Sequence, residues 1–205
     1  MCRKIGNDEE AGHGIMNTII VEHTDEGDFP IDIFTRLAHD RILFINDNID
    51  DDIAVEFMAT LLLKDMENNE DKISIFINAE RGDIRAILTI YDAMQMVSSP
   101  IETICCGAAM NEVVLLLAAG TKGLRFATAN AIISPSQLIH DQSYMSDLTE
   151  AKSVLNRAVK DNKSFMSAFA RATSKKLATV MKDFERKKFF NAKQAKKYGI
   201  IDEII

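Results

Sequence analysis

The chain has 205 residues and a formal net charge of -7; 47% of its residues are hydrophobic, with 3 prolines, 9 glycines and no tryptophan. That length and apolar content suffice for one well-packed core, and the acidic balance argues against nucleic acid or an anionic membrane as the main partner. No apolar run reaches the roughly 18–20 residues of a membrane span, and no linker, internal repeat or low-complexity stretch divides the chain.

Met1 to Gly14 contains Asp8, Glu9 and Glu10 and has no apolar centre. It reads as neither a secretory signal nor an acid-poor transit peptide. Residues 1–18 are expected to form a flexible amino-terminal segment, and 19–205 a single domain. Ile42–Ile45 then predicts a strand, and Ala54–Met66 a helix with apolar residues at helical spacing and Asp50–Asp52 favourable at its start. Ile73–Ile77 is a second strand. Ile84–Val97 is an amphipathic helix that Ser98-Ser99-Pro100 ends. Ile101–Cys106 is a short apolar run, hence a buried strand; Gly107 with Ala108 and Ala109 suggests a tight turn, and Val113–Ala119 a helix buried on all sides. A further strand is expected around Arg125. Strands alternating with helices imply a parallel sheet with helical crossovers, an α/β fold. Farther on, Ala151, Val154, Leu155, Ala158, Val159, Phe165, Met166 and Phe169 form a stripe near 3.6-residue spacing. Cys2, Cys105 and Cys106 have neither zinc-site nor disulfide-framework spacing, which points to a reducing compartment. No metal or cofactor is implied.

The segment Cys105-Cys106-Gly107-Ala108-Ala109-Met110-Asn111-Glu112-Val113-Val114 has the form of the nucleophile turn of a serine hydrolase in which the serine is missing. A strand, a small-residue turn and a buried helix expose one side chain where helix amides favour a developing anion. Here that side chain is Asn111, whose amide is not a nucleophile. Asn is also a common helix cap, which accounts for the same residue without any lost catalyst.

The stretches Ile31-Asp32-Ile33-Phe34-Thr35-Arg36-Leu37, Arg41-Ile42-Leu43-Phe44, Ile75-Phe76-Ile77-Asn78, Ile90-Tyr91-Asp92-Ala93-Met94-Gln95 and Ala119-Gly120-Thr121-Lys122-Gly123-Leu124-Arg125-Phe126, followed by Glu185-Arg186-Lys187-Lys188-Phe189 and Tyr198-Gly199-Ile200-Ile201-Asp202, resemble the Clp peptidase family in its own order. The resemblance implies a fold of repeated β-β-α units, shared with crotonases, and a protruding handle helix, onto which the apolar stripe falls.

It also implies a Ser-His-Asp triad. The family's serine falls on Asn111 and its aspartate on Lys187, whose charge would oppose the imidazolium that an aspartate stabilises. Its histidine falls on Ser136 without a gap, or on His140 with a short insertion. The family's Ser-Pro-Gly-Gly oxyanion loop becomes Ala79-Glu80-Arg81-Gly82, and Glu112 follows the nucleophile position. The family's apolar pockets for chaperone loops map onto Leu62, Ser74, Phe76, Met96, Ile104 and Phe126, with Ser74 in place of an aromatic.

These departures lead to the expectation of a subunit that is not an enzyme, similar to the ClpR subunits of plastids and cyanobacteria. It would build seven-membered rings with itself or with catalytic Clp subunits, receive a Clp AAA+ chaperone, and use Phe165 and Phe169 at subunit contacts. The compartment implied is a plastid-type organelle, apicoplast or chloroplast stroma, or a bacterial cytoplasm, and not a secreted setting. The alternative is a crotonase-like enzyme for acyl-CoA, or a rebuilt hydrolase, with Asp83, Glu112 or His140 as base.

Overall fold

The computed structural model describes residues 18–24, 27–46, 48–135, 148–186 and 189–205. An antiparallel hairpin of β1 (Ile19–Thr24) and β2 (Gly27–Asp32) leads into a short helix, α1 (Ile33–His39). Asp32 begins that helix as its N-cap, accepting from the amides of Phe34 and Thr35. Alternation follows: β3 (Ile42–Asn46), α2 (Asp51–Glu67), β4 (Ile73–Ala79), α3 (Ile84–Met96) and β5 (Ile101–Met110). A 3₁₀ turn at Asn111–Val113 opens α4 (Val114–Ala118), and β6 (Arg125–Ala127) and β7 (Ile132–Ser134) come next. The last third holds α5 (Leu148–Ala172), α6 (Leu177–Glu185), α7 (Ala192–Tyr198) and β8 (Glu203–Ile204).

The main sheet has the order β3-β4-β5-β6-β8, every neighbouring pair parallel, with β7 on the far end of β5. Strand order follows chain order, and parallel crossovers are right-handed, so successive helices fall on one face of the sheet. Burial alternates accordingly. Ile73, Ile75 and Ile77 are fully buried, while Phe76, between them on the opposite face, is only half-buried. Each isoleucine so buried contributes roughly 1.5–3 kcal/mol. On the other face Phe44, Phe76, Ile104 and Phe126 stand in one register row across four strands. Phe44 stacks on Phe76 at 5.4 Å between ring centroids, and Phe34 of α1 meets Phe44 edge-on at 5.3 Å.

The helices expected over 54–66 and 84–97 are present as α2 and α3, and the strands expected at 42–45, 73–77 and around Arg125 are also present. Two expectations are corrected. The strand expected to end at Cys106 runs on to Met110, so Gly107 lies within a strand; the buried helix shrinks to the five residues of α4. Phe165 and Phe169, expected at subunit contacts, are fully buried inside the protomer. Both pack edge-on against Phe184 of α6, at 5.6 and 5.2 Å, because α6 and α7 fold back over the carboxyl half of α5. Among the described residues of α5, the exposed large apolar side chains are Val154, Leu155 and Val159.

Arg125 ties this last third to the sheet. Its side chain is 6% exposed and paired with Asp202 at 2.5 Å. The same guanidinium donates to the carbonyls of Ala118, Ala172 and Gly199. The planar fork of arginine can satisfy that many acceptors at once; lysine could not.

Candidate functional site: an elbow fastened to its loop

The site lies at the carboxyl ends of β4 and β5. Register between them is regular up to Ile77↔Cys105 and resumes at Ala79↔Ala109, so three residues of β5, Cys106 to Ala108, bulge out opposite Asn78. Gly107 sits there at φ 109°, and a Cβ on it would come within 2.4 Å of Asn78 Oδ1. That oxygen accepts from the Ala108 amide at 3.0 Å. Only glycine meets both demands, the left-handed backbone and the close side chain.

Asn111 follows at φ 50°. A non-glycine residue at positive φ is uncommon, and such strain concentrates at functional turns. Its side chain neither caps the helix nor stands free: Nδ2 donates to the Glu80 carbonyl at 2.7 Å, and the 3₁₀ turn has no side-chain cap. The expectation that Asn111 caps a buried helix is thereby corrected. The helix dipole expected to favour an anion is also weak, since α4 is five residues long and enters through a 3₁₀ turn. Glu112 is 6% exposed.

The neighbouring loop is held from below. Ile49 donates to the Arg81 carbonyl at 3.2 Å and accepts from the Asp83 amide at 2.7 Å, a parallel bridge that seats Gly82. A Cβ on Gly82 would stand 3.0 Å from Ile49 and Ile87. Glu80 and Arg81 are exposed. Asp83, weighed as a base, is the N-cap of α3, accepting from the amides of Arg85 and Ala86. The nearby thiols offer no substitute nucleophile. Burial, followed by the neighbouring Cys106, pushes the Cys105 thiol up to about 12, and burial also raises Cys106. Both are neutral at pH 7.

The other positions singled out from sequence fall in several places. Ser136, His140 and Lys187 lie outside the described residues. Phe76, Ile104 and Phe126 come together in the open-face row. Ser74 lies on that face one step along, its hydroxyl donating to Glu102 at 2.7 Å. Burial pushes Glu102 up, but hydrogen bonds from Lys72 and Ser74 with the Lys72 charge outweigh it and hold the carboxyl below its usual value. Leu62 and Met96 are elsewhere in the protomer, on α2 and at the end of α3, with Met96 71% exposed. Sequence reasoning missed Asn78 and the Glu80 carbonyl. A glycine inside an otherwise regular strand pattern was the available signal for a bulge with a close neighbour.

A parallel sheet whose strand enters a strained turn beside an amide-bearing loop defines an α/β protein with a hydrolase-type elbow. The sequence model of the Clp protease family matches residues 25–205, and the chain belongs to that family. It is 38% identical over 207 residues to ATP-dependent Clp protease proteolytic subunit 3 of Frankia casuarinae, covering 98% of this chain and 92% of the relative. It is 39% identical over 188 residues to proteolytic subunit 2 of the same organism, covering 91% and 85%.

These names correct the expectation that the chain is not an enzyme: relatives matched over nearly its whole length are proteolytic subunits. That expectation weighed the chemistry of single side chains, above all Asn111 and Lys187. The positions expected to partner residue 111, Ser136 or His140 and Lys187, lie outside the described residues.

Proposed function

We propose that the chain is a subunit of an ATP-dependent Clp protease, taking part in proteolysis within seven-membered rings formed with itself or with other Clp subunits. The observation that carries this reading is the near-full-length likeness to two proteolytic subunits. The surface supports it. The row of Phe44, Phe76 and Phe126 on the open sheet face, and Val154, Leu155 and Val159 on α5, leave more apolar surface than a lone protomer needs. Phe76, Ile104 and Phe126 lie on one face and Leu62 and Met96 on helices over the other. A chaperone pocket using all of them requires two neighbouring copies, as in a ring, and a Clp AAA+ chaperone is the partner for it.

The test is co-expression with a serine-bearing Clp subunit, native mass spectrometry of the product and peptide hydrolysis by the purified assembly. Rings containing this chain and cleaving peptide are expected. A chain that stays monomeric at high concentration, both alone and beside that subunit, would defeat the proposal.

A further inference from the structure

One hydrogen bond decides which way a peptide group faces the elbow. In a trans peptide the carbonyl and the N–H point in opposite directions. With the Glu80 carbonyl aimed at Asn111 Nδ2, 2.7 Å away, the Arg81 N–H points away from the elbow. A cleft that stabilises a developing anion at such a turn needs the reverse: a loop N–H directed inward beside the amide after the elbow.

A second observation bears on the same peptide. Turning it over would swing φ of Arg81 into the left-handed region, which glycine tolerates and arginine resists. Among the described residues the non-glycine positions at positive φ are Arg41, Asn111 and Ser174, so Arg81 stays on the negative side. Its carbonyl is also held by the Ile49 amide, which leaves the 80–81 peptide as the part of the loop free to turn.

We propose that Asn111 and Arg81 form a latch that keeps the Glu80–Arg81 peptide with its carbonyl toward the elbow. Asn111 fastens that orientation, and the side chain of Arg81 disfavours the other. The anion-binding arrangement is reached only when both restraints are released. Asn111 acts here as a positioning residue, through the loop. The inference rests on reading this site as the elbow of a Clp subunit; its test needs no co-assembled partner, so failure of the latch and failure of assembly are separate results.

The experiment is site-resolved amide hydrogen exchange on the full chain. Asp accepts but cannot donate, and it tolerates positive φ. In the Arg81→Gly, Asn111→Asp double variant the carboxylate should therefore draw the residue-81 amide inward. That amide is expected to exchange at least about tenfold more slowly than in Arg81→Gly alone, as for a charge-assisted hydrogen bond. Equal rates would overturn the latch, and a merely structural role for Asn111 would not slow this amide. Asn111→Gly gives an independent reading, because glycine suits φ 50° and removes the donor. There the Ile49 amide should exchange several-fold faster while those of β4 are unchanged; an unaltered Ile49 rate would also overturn the proposal.

Discussion

The two halves of α5 carry the same helical spacing of apolar residues and meet different surroundings. In the carboxyl half, Phe165, Ala168 and Phe169 are buried under α6 and α7. In the amino half, Leu155 and Val159 are 58% and 60% exposed. Between them Asp161 binds Arg85 at the start of α3 at 3.0 Å, which pins the middle of the helix to the body. Amphipathic periodicity says that a helix has an apolar face; it does not say whether that face meets its own chain or another.

The comparison breaks most sharply at Phe169. Phe169→Ala should cost about 3–5 kcal/mol in denaturant unfolding, as for a fully enclosed aromatic. Leu155→Ala should change protomer stability by less than about 0.5 kcal/mol. Similar losses at both sites would mean that the amino half is also packed within the protomer.

Next in size is Arg125→Met, which leaves Asp202 without its cation and three carbonyls without their donor. Because Asp202 is 25% exposed and can take water, the expected loss is about 2–4 kcal/mol, below the full cost of orphaning a wholly buried charge. A thermal melt matching the parent protein would show that the carboxyl half is held by aromatic packing alone.

A smaller effect is expected in acid. The hydrogen bond from Arg125 holds the Asp202 carboxyl below its unfolded value of 3.8, against a burial that raises it. A depressed carboxyl stabilises the fold at pH values above the unfolded pKa, and the contribution fades as pH drops through the folded value. The parent protein should therefore lose stability below 3.8 more steeply than Asp202→Asn. Parallel slopes would place the acid sensitivity elsewhere.

The smallest effect on the protomer, and a large one on assembly, should come from Leu155→Asp combined with Val159→Asp. Protomer unfolding should scarcely move, while sedimentation should show smaller particles. Intact rings would remove this half of α5 from the subunit contact.

Much of this architecture was legible in the sequence, because the strands are short apolar runs, α3 carries a strong helical period, and α2 is announced by the acidic residues Asp50–Asp52 at its start. Phe165 and Phe169 show where that ends. Their spacing was read correctly, but their burial depends on α6 and α7 folding back, which is tertiary information. Gly107 shows a second limit. A glycine after an apolar run suggests a turn, and only the presence of Asn78 across the strand pair makes it a bulge. The hairpin of β1 and β2, whose burial is slight, was not anticipated. At the elbow the strain at Asn111 was implicit in the motif, whereas its carboxamide contact with the Glu80 carbonyl depends on how two loops meet.

The strand order has a consequence for synthesis. β3, β4, β5, β6 and β8 are laid down in the order in which they are translated. At a ribosomal pace of about 5–20 residues per second, each strand leaves the exit tunnel when the neighbour it pairs with has already been made. None of the described strands must be inserted between two others, so each addition pairs the free backbone N–H and C=O groups along the edge of a strand already made. The chain can thus grow its sheet from one side outward, and β8 settles on β6 last.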